Sequence, residues 1–343
     1  MSVLDRATTF ELTDSWRRWI AENHLLGTSE QAIFDTLIGQ GMPEEQARAE
    51  LETVRLDTYL VAGKWMVQRL RKLESLLAAQ QQMRSLDPAY AEVPRRAGMT
   101  REEFLLEYYA ANRPVVLTDV ADRWPARCKW TAEYLTACAG NATVEVMTAR
   151  QSDDLYEQNL DMHRTQMRFG DYIHLVMTSG PSNDFYLVAN NHFFGNPGVS
   201  RLLQDFDCDA RILTPDPPSS QLFFWFGPAG TVTPLHHDVS NILLSQVTGA
   251  KRITLVPALE AHRVYNEVAV YSPVDPENPD WERHPLFADA TRITVDLREG
   301  EALFIPVGWW HHVRSLDVSV SISFTNFALP NSFQWAFPEI DRR

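Results

Sequence analysis

Ser319-Val320-Ser321-Ile322-Ser323-Phe324 alternates small polar and apolar residues without a break. Successive side chains of a strand point to opposite faces, so this hexapeptide predicts a strand with one face on a core and the other lining a polar cavity. Working outward, the chain from Gln221 on is dense in similar runs, at 222–226, 242–247, 252–256, 291–297 and 302–305, with Gly300 and Gly308 marking turns. Two more lie upstream at 114–117 and 143–147, and a Pro-rich break covers 214–219. Many short strands with Gly and Pro turns predict a mainly β fold with helices, a small barrel or jelly roll.

The first 85 residues read differently. Trp16, Trp19 and Ile20 share one helix face and Gly27 predicts a stop. Ser29 is placed to cap a second helix bearing Ile33, Phe34, Leu37 and Ile38. Gly41 ends it, and Pro43 suits the first turn of a third helix with Ala47, Leu51 and Val54. Leu60, Met66, Leu70, Leu73, Leu76 and Leu77 then form the longest amphipathic run, which predicts packing on the bundle, homodimerisation or substrate docking. Residues 86–99 hold two prolines and no period, a linker, after which Thr100 and Glu103 form a capping box for a helix to about Tyr109. The expected division is 1–85 helical, 86–99 linker and 100–343 the β-rich domain.

A net charge of −14 over 343 residues, with no basic run, predicts no nucleic-acid partner. Cys128, Cys138 and Cys208 share no metal-type spacing and are odd in number, which predicts a reducing compartment. No signal segment opens the chain at Met1 to Leu12 and no apolar stretch reaches the roughly 18–20 residues that span a membrane. A cytoplasmic protein without membrane contact is expected.

Thr233-Pro234-Leu235-His236-His237-Asp238 reads as the opening of a strand. On it His236 and Asp238 share a face while His237 points away. An imidazole and a carboxylate side by side make two-thirds of the facial triad of non-haem iron(II) oxygenases. The third ligand must come from a distant strand, and Gly308-Trp309-Trp310-His311-His312-Val313, 75 positions on from His236, offers two histidines.

These segments resemble the Jumonji C oxygenases, in particular the cupin-like group that includes the asparaginyl hydroxylase inhibiting hypoxia-inducible factor. The resemblance runs through Thr233 to Pro257, including Gln246-Val247 and Gly249-Ala250-Lys251-Arg252. It continues through Val274-Asp275-Pro276-Glu277-Asn278-Pro279-Asp280-Trp281-Glu282-Arg283, Gly300 to Pro306, Trp309 to His312 and Asn326-Phe327. More weakly, it reaches back to Phe104, Arg113 to Leu117 and Trp124-Pro125, and so covers about residues 100–330.

The resemblance implies a double-stranded β-helix and an Fe(II)- and 2-oxoglutarate-dependent dioxygenase. Such an enzyme uses O2 to hydroxylate a peptide or protein side chain and releases succinate and CO2. N-methyl-lysine demethylation by the same chemistry and a silent metal- or peptide-binding cupin are the alternatives. It implies His236, Asp238 and His311 as iron ligands, choosing His311 over His312. Lys251, Thr233 and Tyr186 would hold the distal carboxylate of 2-oxoglutarate, with Asn326 near its metal-chelating end. Two departures stand out: Ile242 where related sequences often have Asn, with Asn241 one place earlier, and Val270-Tyr271 where the asparaginyl hydroxylase has Arg-Gln.

Overall fold

The computed structural model describes residues 10–188, 192–266 and 268–336. Most of the N-terminal stretch read for a signal segment lies outside them. The chain divides into two compact units, 1–79 and 80–343.

In the first unit, α1 (Asp14–Leu26), α2 (Glu30–Gly39) and α3 (Glu44–Leu56) start and stop close to the punctuation read in the sequence. Thr13 caps α1 and Ser29 caps α2, each accepting from a backbone N–H three residues on. Pro43 sits at the cap of α3, just before its first turn. Ile20, Ile33, Leu37, Met42, Ala47 and Val54 form the core.

The amphipathic run is a 28-residue helix, α4 (Thr58–Ser85), that buries none of its residues and crosses the boundary between the units. Most of its apolar run stays off the bundle core. Leu60 joins the core of the three helices, while Trp65, Met66, Leu70, Leu73 and Leu76 stay exposed. The short helices close that core largely among themselves, which leaves little of it for α4 to cover. Among the described residues no helix is long and apolar enough to cross a membrane.

The second unit is built on two sheets. One holds β1 (Arg95–Arg96), β2 (Val115–Leu117), β5 (Leu222–Gly227), β7 (Ile242–Thr248), β10 (Ala302–Ile305) and β12 (Ser319–Phe324) in the order β1-β2-β10-β7-β12-β5. The other holds β6 (Val232–His237), β8 (Lys251–Val256), β9 (Ile293–Leu297) and β11 (Trp310–Ser315) in the order β6-β11-β8-β9. A ribbon of β3 (Thr143–Met147) and β4 (Arg164–Arg168) stands beside them. Apart from β1–β2, all the pairs are antiparallel. Neighbours distant in sequence, with the two sheets face to face, make the jelly roll.

Alternation along each strand assigns its two faces. Val320, Ile322 and Phe324 of β12 join Leu243 and Val247 of β7 and Phe224 and Phe226 of β5 in the largest core. The helices at Ala132–Ala139 and Phe169–Thr178 cover that core from outside through Leu135, Phe169, Tyr172 and Ile173. The inward residues Leu244, Leu303 and Ile305 meet Ile253, Leu255 and Val313 of the opposite sheet. Towards one end the filling turns polar, as the serines of β12 require: Ser321 Oγ donates to Gln246 Oε1 at 2.7 Å and Ser323 Oγ accepts from Trp225 Nε1 at 2.9 Å. That end is the cavity.

Two glycines permit this geometry. Gly249 turns β7 into β8 at φ +70°, where a Cβ would lie 2.4 Å from the Val318 carbonyl oxygen. A Cβ on Gly227 would meet Tyr186 Cδ2 at 2.6 Å, so a bare backbone is what lets that ring reach the barrel interior.

Candidate functional site

A cavity of about 270 Å³ opens between the sheets. Its walls include His236, Asp238 and His311 at one end, Lys251, Tyr186 and Thr233 elsewhere, and the aromatic side chains of Trp225 and Tyr271. Six of the seven site residues read from the sequence therefore line one space.

His236 and His311 face each other because β6 and β11 pair in a register that sets them opposite, with ring centroids 4.1 Å apart. His237 and His312, one step on, fall on the outer face. His237 packs against Trp310 at 4.7 Å, and His312 comes near Asp275 and Glu277. Glu277 is already paired with Arg314, which leaves that outer cluster a surface network. Thr233 and His236 differ in strand parity, yet both turn inward, because the β6–β11 register shifts between His311 and Val313. Strand β6 ends at His237, so Asp238 lies just beyond it: the His-x-Asp motif closes a strand rather than opening one.

Both imidazoles are oriented by backbone carbonyls. His236 Nδ1–H donates to Pro234 O at 2.8 Å and His311 Nδ1–H to Trp309 O at 3.0 Å. A carbonyl can only accept, so each Nδ1 carries a proton and Nε2 is the atom available to a metal. Burial, with His311 alongside, pushes the His236 pKa down to about 4 and keeps the ring neutral. Burial opposes the Asp238 charge, but its hydrogen bond and attraction to His311 outweigh that and hold the carboxyl below its ordinary range. His311 Nε2 lies 3.3 Å from Asp238 Oδ2, and candidate ligand atoms of all three residues fall within 4.8 Å of one another. Two imidazoles and a carboxylate converging on one point suit a divalent first-row ion.

Lys251 is 1% exposed and donates to Tyr186 Oη at 2.9 Å. No acidic side chain among the described residues pairs with it, and burial alone drives its pKa down to about 7. A buried amine with no counter-charge, opening on the same cavity as the triad, is a receptor for an anionic group.

Asn326 is the exception. Phe324, two residues earlier, faces the outer core, and Asn326 continues that parity while Ser323 and Thr325 line the cavity. Its Nδ2 donates to Thr214 O at 2.7 Å, away from the expected co-substrate. Ile242, not Asn241, occupies the cavity wall. The departure at Val270-Tyr271 also reaches the site, since this segment bridges to β6 beside His236.

One group escaped the sequence reading. Glu157 lines the cavity and accepts at Oε1 from fully buried Arg150 at 2.9 Å, while Arg150 also donates to Val232 O at 2.6 Å, next to Thr233. Neither residue stands in a recognisable motif, and only folding brings them to β6.

A cupin-like domain model matches residues 101–327. The chain is 36% identical over 242 residues to the lysine-specific demethylase JMJ30 of Arabidopsis thaliana, covering 68% of this chain and 54% of the relative. It is 30% identical over 243 residues to Jumonji C domain-containing protein 5 of Drosophila melanogaster, covering 68% and 59%. A tRNA wybutosine-synthesizing protein 5 from Gallus gallus is 30% identical over 244 residues, covering 68% and 76%. The match thus spans little more than half the length of the first two. With the jelly roll and the paired histidine strands, these matches show that the chain belongs to the cupin-like Jumonji C family.

Proposed function

We propose that the protein is an Fe(II)- and 2-oxoglutarate-dependent oxygenase that oxidises a side chain of a peptide or protein. The observation that carries the reading is Lys251, a buried amine lacking a counter-charge, on one cavity with a His, carboxylate, His cluster. His236, Asp238 and His311 would hold the iron. Lys251, helped by the hydroxyls of Tyr186 and Thr233, would hold the distal carboxylate of 2-oxoglutarate. When bound, the two supply dioxygen activation, with succinate and CO2 as products, for attack on an otherwise inert C–H bond. The chain's own part is to fix the imidazole tautomers, neutralise the co-substrate's far end and shelter the centre from water with Trp225, Val188 and Leu244.

Tyr271, bridged to the strand beside His236, gives the cavity an aromatic wall that suits a cationic side chain with an apolar stem. Hydroxylation of such a side chain and removal of an N-methyl group from lysine are the same chemistry on different carbons. The lysine-specific name of JMJ30 favours keeping the second. A tRNA substrate enters through the name of the Gallus gallus relative, so the exclusion of nucleic acid read from charge is not carried forward.

The test is succinate release from 2-oxoglutarate with iron and ascorbate, alone and with arrays of lysine, methyl-lysine and arginine peptides or with tRNA. Substrate-stimulated succinate with a mass gain of one oxygen atom is expected for hydroxylation, and formaldehyde for demethylation. Absence of iron-dependent succinate under every condition overturns the proposal.

A further inference from the structure

We propose that Asn241, Asn331 and Trp335 form a clasp that positions Asp238 against His311, an inference that rests on the metal-binding reading above. Asp238 is unlike the two histidines. They sit within strands and are anchored through Nδ1, whereas Asp238 follows the last residue of β6, where ladder hydrogen bonds no longer hold the backbone. A ligand there needs other support, because a working metal site tolerates displacements of only about 0.5 Å.

The clasp supplies that support from several directions. Asn241 is 2% exposed, and its backbone N–H and Nδ2 both donate to Asn331 Oδ1, at 2.8 and 2.9 Å. Asn331 Nδ2 returns a bond to Asn241 O at 3.0 Å and another to Thr325 O at 2.9 Å. On the near side of the ligand, Trp335 Nε1 donates to Val239 O at 3.0 Å while its ring packs on His237 at 4.7 Å. The residues on both sides of Asp238 are therefore gripped by one segment, 331–335. The same Asn241 ties the ligand loop to the other ligand strand: its Oδ1 accepts from Val307 N at 2.8 Å, four residues before His311. Gly308 N completes the link by donating to Asp238 O at 3.2 Å. Asn241, Asn331 and Trp335 do not line the cavity, so they are positioning residues.

Mn2+ affinity of the full chain, measured by calorimetry, tests this without needing turnover. Asn331→Ala is expected to weaken Mn2+ roughly tenfold or more, the usual scale for losing an outer support of a metal ligand. Trp335→Phe keeps the ring packing, loses the N–H bond and should weaken it less. Trp281→Phe, at an exposed tryptophan that packs on Phe287 and Arg292, should leave it unchanged. Lower melting temperatures with unaltered Mn2+ affinity in both clasp variants would make the segment merely structural and overturn the proposal. Should Asn331→Ala fail to fold, Trp335→Phe decides, because its half-exposed site tolerates the change. A wild-type protein that binds no Mn2+ would instead sink the metal-binding reading, and the clasp with it.

Discussion

The two ends of the cavity are built on opposite principles. At the triad end each of the two histidines is anchored by a carbonyl two residues before it, and the imidazoles stand beside a carboxylate that they help keep ionised. At the lysine end the amine is buried among Tyr186, Trp225 and the barrel wall with one hydrogen bond and no anion. The first end is prepared by local backbone geometry. The second is left energetically incomplete, and a bound carboxylate would complete it. A site divided in this way separates metal affinity from co-substrate affinity, so each can be perturbed alone.

The largest effect that would sharpen the contrast lies at the triad. His311→Ala and Asp238→Ala should abolish Mn2+ binding in calorimetry, since three ligands leave none to spare. His237→Ala and His312→Ala, on the outer face, should retain it. Full affinity in His311→Ala with loss in His312→Ala would break the register argument.

Next in size, Lys251→Ala should leave Mn2+ affinity near wild type and weaken 2-oxoglutarate at least tenfold. Truncating one partner of a buried charged pair costs on the order of 2–5 kcal/mol. An unchanged 2-oxoglutarate Kd would erase the distinction between the ends.

The third effect is a pH slope. Because the Lys251 pKa is pushed down to about 7, the unliganded amine loses its charge as pH rises through that value. An anionic partner should bind best below pH 7 and lose up to about tenfold per unit above it. Lys251→Gln, with nothing to titrate there, should show a weak and flat 2-oxoglutarate affinity across the same range. A wild-type affinity that rises with pH would contradict the sign.

The smallest effect expected is at Asn326. Its side chain faces Thr214, so Asn326→Ala should change 2-oxoglutarate affinity little and register mainly as a drop in melting temperature. A tenfold loss of affinity there would mean that the outward parity read after Phe324 does not hold in the liganded protein.

Much of this was legible in the residues themselves. The alternation at Ser319–Phe324 announced both a core face and a cavity face, and both exist. Ser29 and Thr100 capped helices as their chemistry dictates. What stayed out of reach has identifiable causes. Asn326 follows its family position in sequence, but parity along β12 turns it outward. Glu157 and Arg150 meet β6 only because the chain returns from a different part of the fold. The leucines of α4 have the right spacing, yet spacing does not say whether a surface is available to cover them.

By itself the sequence determined which side chains share a face, since the two-residue period of a strand is a local property of the backbone. It thus set His236 apart from His237 and gave the barrel a wet and a dry side. It could not choose between His311 and His312, as either is sterically able to face inward. That choice is made by the β6–β11 register, which puts His311 opposite His236. Register depends on hydrogen bonds and packing between strands 75 residues apart in the chain, and on the bulge that also turns Thr233 inward. The charge state of Lys251 was likewise decided only when folding enclosed it without an anion.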